Sequence, residues 1–191
     1  MQKVLLQSIL MLVLLSVVTG IIYPCLVTAI AQIAFPHQAN GSLIKDDKDI
    51  VIGSELLGQQ FSEAKYFSSR PSSTSPYQYN AAGSSGSNLG PTNEDLVKRM
   101  KERLQQLKAF PASSSEKVPI DLVTSSSSGL DPNISVEAAD YQINRVAAAR
   151  GLSKDKISNL VKECTEPKQL YILGEARVNV LKLNLLLDKP K

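Results

Sequence analysis

The sequence is poor in the residues from which most catalytic and metal sites are built. Its 191 residues include one histidine, His37, two cysteines, Cys25 and Cys164, and no tryptophan. Because His37 lies in a predicted linker, a Ser-His-Asp triad within the folded domain is excluded. Structural zinc sites usually take four Cys or His ligands, so these three residues do not predict one. The two cysteines lie in different regions, and we expect no disulfide.

Sequence motifs for nucleotide binding and hydrolysis are also missing. There is no G-x-x-x-x-G-K-[ST] phosphate loop and no G-x-S-x-G nucleophile elbow. The glycine-rich stretch Gly83 to Gly90 lacks the lysine, and Ser125 to Ser128 have no base nearby, which favours a flexible turn. Asp121, Asp131 and Asp140 either form a cation site or serve in turns and caps, and Asp131 before Pro132 is typical of a turn. The sequence therefore predicts a chain that is not an enzyme by itself.

Charge of one sign does not dominate the sequence. The 21 Lys and Arg residues and the 18 Asp and Glu residues give a formal net charge of +3. The two signs are interleaved, whereas a nucleic-acid-binding surface would show clustered Lys and Arg. We therefore predict no nucleic-acid partner.

A long apolar run without charges lies at the N-terminus. It extends from Val4 to Phe35, and the next charged residue is Lys45. A bilayer core of about 30 Å needs about 20 apolar residues in a helix. The run therefore predicts one transmembrane helix with a core over about 8–30. Pro24 predicts a kink, and Gln7, Ser8, Ser16, Thr19 and Gln32 either contact neighbouring helices or bond within their own helix.

Two other interpretations of this run remain open. A cleaved signal peptide would explain Lys3 and the small residues around Ile30, but its apolar region is usually about 7–15 residues long. A buried helix of a soluble protein would have a polar face. If the run spans the membrane, Lys3 and the amino terminus favour a cytoplasmic N-terminus and an outer domain.

The remaining residues, 36–191, predict a single α+β domain. Ser135 and Gly151 have the residue types of a helix N-cap and C-cap, and Ser153 begins a second helix that packs as a helical hairpin with the first. The C-terminal RVNVLKLNLLLD alternates apolar and polar residues and predicts a strand with a bend near Leu181. The predicted elements are a polar linker over 36–49, strands at 50–53, 118–124 and about 177–187, a long loop over 68–93, and helices at about 93–108, 135–150 and 153–165.

Six motifs occur in order through most of the chain: GSELLGQQF (Gly53 to Phe61), YFSSRPS (Tyr66 to Ser72), SGSNLGPTN (Ser85 to Asn93), VPIDLVTSSSSGLDPNIS (Val118 to Ser135), AADYQINRVAAARGL (Ala138 to Leu152) and LGEARVNVLKLNLLLD (Leu173 to Asp188). Together they resemble the motifs of one family, the small C subunit of the Kdp-type potassium-transporting ATPase. The sequence departs from the family pattern at Asn133, Ala176 and Lys182, where His, Pro and Glu are frequent. Asn133 removes a titratable group.

The resemblance implies an accessory, non-catalytic subunit of a high-affinity, ATP-driven potassium uptake complex in the cell membrane. The implied partners are a channel-like subunit that selects potassium, a P-type ATPase subunit and a tiny single-span subunit. The family role is assembly and stability, together with catalytic chaperoning that raises the ATP affinity of the pump subunit. No cofactor is assigned to the chain itself, and ATP enters through the pump subunit.

The resemblance also implies site residues. A glutamine matching Gln142 is linked in the family to nucleotide contact, although an outer domain would not meet cytoplasmic ATP. An outer domain can dock on the channel-like subunit, and arginines favour bidentate contacts of that kind. The alternative is that the arginines pair internally with Asp131, Asp140 or Glu175. The candidate docking residues are Phe61, Tyr66, Phe67, Arg70, Asn88, Arg145, Arg150 and Arg177.

A second function from another class stays open at this point. A free-standing, membrane-anchored binding protein or sensor would also combine one span with one outer domain. It would need a ligand pocket in that domain and no companion chains.

Overall fold

The computed structural model describes residues 1–110 and 117–189. The chain forms two compact units, Met1–Ser54 and the residues from Glu55 onward. The predicted boundary at residue 36 is therefore displaced, because a hairpin that follows the first helices groups with them.

The first unit begins with one long helix. It consists of α1 (Gln2–Val17), a π-helical turn (Val18–Ile22) and α2 (Tyr23–Ala34). The 33 residues have a mean hydropathy of 2.5 and extend for about 50 Å at 1.5 Å per residue. Among the described residues it is the one helix long and apolar enough to cross a membrane.

The helix is interrupted where Pro24 predicts an irregularity. A proline lacks the N–H donor and crowds the carbonyl four residues earlier, and a π-turn directly before it accommodates this. Two of the polar residues bond within their own helix. Ser8 Oγ donates to the Val4 carbonyl at 2.9 Å, and Thr19 Oγ1 donates to the Leu15 carbonyl at 2.7 Å.

A short helix α3 (Pro36–Ala39) and an antiparallel hairpin of β1 (Leu43–Lys45) and β2 (Val51–Ser54) complete the first unit. The prediction of a polar linker over 36–49 was wrong in this respect. Asp46 explains the hairpin, because its Oδ1 accepts hydrogen bonds from the backbone N–H groups of Lys48 and Ile50 and closes the turn.

In its described residues, the second unit contains an irregular segment over 55–93, four α-helices and one small sheet. The helices are α4 (Glu94–Lys108), α5 (Val136–Arg150), α6 (Lys154–Glu163) and α7 (Val180–Asp188). The strands β3 (Asn133–Ser135), β4 (Thr165–Glu166) and β5 (Arg177–Asn179) form an antiparallel sheet in the order β3-β5-β4. The described residues are thus α+β, as the sequence predicts.

The caps of α5 and α6 are those that the sequence indicates. Ser135 Oγ accepts from the Ala138 N–H, Ser153 Oγ accepts from the Lys156 N–H, and Gly151 ends α5 with φ +63°. The two helices pack as a hairpin against β5 and α7. Helix α4 begins after Asn93, whose side chain accepts from the Asp95 N–H as the N-cap.

The predicted C-terminal strand over 177–187 was wrong beyond Asn179. Strand β5 ends there, and Asn179 Oδ1 accepts from the Lys182 N–H to begin α7. Val180, Leu183 and Leu187 are buried and follow helical spacing. The polar residues between the leucines made the segment resemble an alternating strand, but one of them, Asn184, is itself buried.

The predicted strand at 118–124 was also wrong. Residues Ile120–Leu122 form a 3₁₀ turn after Pro119. The Leu122 N–H donates to the Pro119 carbonyl at 3.1 Å, and the Thr124 N–H donates to the Ile120 carbonyl at 3.0 Å. Only Leu122 of this turn enters the core.

Candidate functional site

The segment 64–70 contains three of the predicted docking residues and is held by side chains of α5 and α7. Two buried amides pair with successive backbone residues of the segment. Gln142 on α5 accepts from the Ser68 N–H at 2.8 Å and donates to the Ser68 carbonyl at 3.2 Å. Asn184 on α7 accepts from the Phe67 N–H at 2.9 Å and donates to the Phe67 carbonyl at 3.0 Å. Each amide thus satisfies both backbone groups of one residue, as a neighbouring strand would.

Arg145, one helical turn after Gln142, binds the same segment. Its guanidinium donates to the Ala64 carbonyl at 2.8 Å, to the Tyr66 carbonyl at 2.9 Å and to Gln142 Oε1 at 2.5 Å. It also lies 4.5 Å from the centre of the Phe110 ring. The residue is 3% exposed, and burial lowers the pKa of Arg145 to about 10. A charge buried to this degree needs such acceptors.

Arg150, further along α5, joins the segment to the end of α7. It donates to the Lys65 carbonyl at 2.7 Å, to the Leu187 carbonyl at 2.8 Å and to Asp188 at 2.7 Å. The Tyr66 hydroxyl donates to the other oxygen of Asp188 at 2.7 Å. Burial alone would raise the pKa of Asp188, but the hydrogen bonds from Tyr66 and Arg150 outweigh it and hold that pKa below its ordinary value.

A cleft of about 440 Å³ opens beside the segment. Arg70 lies at one side, where it donates to Asp131 at 3.1 Å and to the Ser125 carbonyl at 3.4 Å. Its Nε atom is buried and has no hydrogen-bond partner among the described residues. Arg103 of α4 lies in the cleft wall and donates to the Ser69 carbonyl at 3.3 Å. Burial lowers the pKa of Arg103.

The polar character of the cleft comes from hydroxyl groups and arginines. The Tyr79 hydroxyl donates to the Arg70 carbonyl, and burial raises the pKa of Tyr79 to about 12. The other hydroxyl and charged residues that line the cleft are Ser62, Ser68, Ser69, Ser72, Ser73, Ser87, Arg99, Glu102 and Ser125. Three arginines and one glutamate surround the opening, so it favours an occupant with acidic or carbonyl oxygens.

The structure brings seven of the nine residues named from the sequence to the segment 64–70 or the cleft beside it, and it separates the other two. Gln142, Tyr66, Phe67, Arg145 and Arg150 converge on the segment 64–70. Phe61 lines the cleft with its ring 5.4 Å from that of Tyr66, and Arg70 lies at the edge of the cleft.

The remaining two predicted docking residues stand apart. Asn88 is exposed at a turn with φ +52°. Arg177 is exposed on β5 and forms an ion pair with Glu166 at 2.9 Å.

Three of the named arginines form ion pairs within the chain, but not all of them with the acids considered from the sequence. Arg70 pairs with Asp131, one of the three acids considered, whereas Arg150 pairs with Asp188 and Arg177 with Glu166. Arg145 bonds to carbonyls and to Gln142 instead of an acid.

Two of the three aspartates considered for a cation site accept hydrogen bonds from backbone N–H groups. Asp121 accepts from the Ser135 N–H at 2.7 Å, and Asp131 accepts from the Asn133 N–H at 3.0 Å. No group of three or more His, Cys, Asp or Glu residues with metal-binding geometry occurs in residues 1–110 and 117–189. Asp121 and Asp131 thus act in turns and caps, whereas Asp140 lies within α5.

Sequence reasoning missed three contributors to the site. Asn184 lies in an apolar run, and a lone amide among leucines is the signal that indicates a buried polar partner. Asp188 and Arg103 carry no such signal, because charged residues at helix ends and on helix faces are common on protein surfaces.

Comparisons with known proteins were consistent with one another. Residues 5–189 match the model of the family described as KdpC, the K⁺-transporting ATPase c chain. A protein of Methylococcus capsulatus named potassium-transporting ATPase KdpC subunit is 54% identical over 181 residues, which cover 95% of each chain. Proteins of the same name from Herpetosiphon aurantiacus and Paraburkholderia xenovorans are 53% identical over 180 residues and 54% identical over 183 residues. Those alignments cover 94% and 96% of this chain, and 93% and 95% of the relatives.

Proposed function

The chain belongs to the KdpC family of K⁺-transporting ATPase subunits, and from this premise we propose that it is an accessory, non-catalytic subunit that assembles and stabilises an ATP-driven potassium uptake complex. The single observation that carries this is the family match from residue 5 to residue 189. The lack of catalytic motifs in the sequence supports the non-catalytic part. Its partners are then a channel-like subunit, a P-type ATPase subunit and a tiny single-span subunit.

The proposed topology has one span and an outer domain. The apolar helix Gln2–Ala34 crosses the cell membrane, and Lys3 with the amino terminus holds the N-terminal side in the cytoplasm. The unit from Glu55 onward then faces outward. This arrangement puts the domain on the side from which potassium enters.

Docking on the channel-like subunit involves exposed residues, while buried residues shape the surface. Arg70 at the cleft, Asn88 and Arg177 are accessible to a partner. Phe67 and Arg145 are buried and act by holding the segment 64–70 in place. We assign the cleft to an acidic or carbonyl-bearing segment of the partner, because arginine favours such groups.

The effect on ATP affinity is proposed to act through the pump subunit. Gln142 is 1% exposed, and both atoms of its amide are bonded to Ser68. A nucleotide contact at Gln142 would require these bonds to open. We therefore propose that Gln142 positions the segment 64–70, and that chaperoning of the pump arises from assembly.

The test is a truncation that keeps Met1–Ser54 and removes all residues from Glu55 onward, expressed with the companion chains. We expect potassium-stimulated ATP hydrolysis by the purified complex to be lost, because the docking surface is missing. Re-expression of the full-length chain from the same vector is the matched control. Unchanged potassium-stimulated hydrolysis with the truncated chain would contradict the proposal.

A further inference from the structure

The turn between β4 and β5 exposes four consecutive large apolar side chains. Leu170, Tyr171, Ile172 and Leu173, here called the apolar tip, are 79%, 88%, 78% and 53% exposed. Single exposed apolar residues are ordinary, but a contiguous exposed patch indicates an interaction site. The apolar tip lies outside the core, the segment 64–70 and the cleft described above.

The backbone of this turn is held by hydrogen bonds within the turn itself. The Gln169 N–H donates to the Leu173 carbonyl and the Leu173 N–H to the Gln169 carbonyl, each at 2.9 Å. The Tyr171 N–H also donates to the Lys168 carbonyl at 3.1 Å. Because the N–H groups of Gln169, Tyr171, Ile172 and Leu173 are bonded within the turn, these four donors stay paired when the turn enters an apolar environment.

The conformation of the turn is unfavourable for the residues that occupy it. Leu170 and Tyr171 have φ of +51° and +64°. Bulky side chains rarely adopt positive φ, where Gly and Asn are the usual residues. Local turn chemistry therefore does not account for a leucine and a tyrosine at these two positions.

Charges at the base of the turn distinguish a protein partner from a lipid surface. Loops and helices that enter anionic membranes carry an excess of Lys or Arg at the rim. Within residues 165–177, all of which the structure describes, both basic residues are paired: Lys168 with Glu175 at 2.8 Å and Arg177 with Glu166 at 2.9 Å. The base is electrically balanced, which favours an uncharged apolar crevice in a protein.

We propose that the apolar tip inserts into an apolar crevice on a companion protein chain of the potassium-transporting ATPase. This inference rests on the proposed function as an accessory subunit and names an element that docks. Tyr171 and Ile172, which are 88% and 78% exposed, lie at the apex of the turn and act as anchors. Large aromatic and aliphatic side chains in a partner's pocket are the usual centres of binding energy.

The direct test replaces Tyr171 by the photo-crosslinking residue p-benzoylphenylalanine in the full-length chain, expressed with its companion chains. The control carries the same replacement at Tyr77, which is 63% exposed and lies outside the turn. After illumination, we expect position 171 to form a covalent adduct with a companion protein chain, and we expect its yield to be higher than the yield at position 77. Adducts with lipid alone, or none, in complexes that contain the companion chains would overturn the inference.

A second measurement compares two double variants. Tyr171→Ser with Ile172→Ser removes the apex of the apolar tip, and Tyr77→Ser with Ile120→Ser removes a tyrosine and an isoleucine of similar chemistry elsewhere on the surface. We expect the first pair to lower the recovery of companion chains after a stringent detergent wash by about tenfold, and the second to leave it unchanged. Equal recovery with both pairs would overturn the inference.

Different results would contradict the proposed function and the inference about the apolar tip. If companion chains do not co-purify with the wild-type protein from a host that produces them, the proposed function fails and the inference fails with it. If they co-purify and hydrolyse ATP, but the apolar tip gives no protein adduct, only the inference fails.

Discussion

The irregular segments 64–70 and 167–174 satisfy their backbone groups in opposite ways. The first depends on side chains from elsewhere, since Gln142, Arg145 and Asn184 bond its N–H and carbonyl groups. The second bonds to itself and leaves its apolar side chains in solvent. Irregular backbone can therefore be buried when side chains of distant residues provide its hydrogen bonds. A turn whose backbone bonds within itself can instead present its side chains to another protein.

The largest effect is expected from removing the arginine that binds the first segment. Arg145→Ala leaves the partly buried carbonyls of Ala64 and Tyr66 without this donor, at a cost of about 3–6 kcal/mol in the free energy of unfolding. Urea unfolding of the full-length chain in detergent measures it. Arg99→Ala, at an exposed position of α4, is the control. A loss below about 1 kcal/mol for Arg145→Ala would show that the segment does not depend on this arginine.

A smaller loss is expected from Asn184→Leu. The substitution keeps the size of the side chain but leaves both backbone groups of Phe67 unpaired, which costs about 2–4 kcal/mol. The same unfolding experiment applies, with Asn159→Leu on the exposed face of α6 as the matched control. If both variants unfold alike, Asn184 does not hold the segment.

An acid-dependent effect is expected at Asp188. Its pKa is lowered in the folded chain, so the fold favours the carboxylate. The stabilisation is fully present above the unfolded pKa of about 4 and is lost as the pH falls through the lower folded pKa. Asp188→Asn should be less stable than the wild type at pH 7, and the difference should shrink as the pH falls below about 4. A difference that does not change with pH would contradict the role given to the carboxylate.

The smallest effect on stability is expected at the apolar tip. Tyr171→Ser with Ile172→Ser removes side chains that contact mainly solvent, so the unfolding temperature of the isolated chain should stay unchanged. Differential scanning fluorimetry of the isolated chain measures it. A clear decrease would mean that the apolar tip packs on its own domain, and the comparison between the two segments would not hold.

Local signals in the sequence predicted the helical hairpin well. Ser135, Gly151 and Ser153 act where their chemistry indicates, because caps and left-handed turns depend on adjacent residues only. The apolar run at the N-terminus was equally readable, because its length and lack of charge need no tertiary context.

Features that depend on distant contacts were not predictable in the same way. The pattern after Asn179 resembles a strand because Asn184 occupies a polar position of an alternating run. Its partner, Phe67, is 117 residues away, and no local rule connects the two. The named arginines were identified by residue type, but their partners, such as Asp188 for Arg150, emerged only from the packing of α5 against α7.

The most direct test of the account is hydroxyl-radical footprinting of the wild-type chain, alone in detergent and in the assembled ATPase, with labelling quantified by mass spectrometry. In the isolated chain we expect strong labelling of Tyr171 and Ile172 and none of the fully buried Phe67. In the complex, labelling of the apolar tip should fall while Phe67 stays unlabelled. Labelling of Phe67 in the isolated chain, or equal labelling of the apolar tip in both states, would contradict the account.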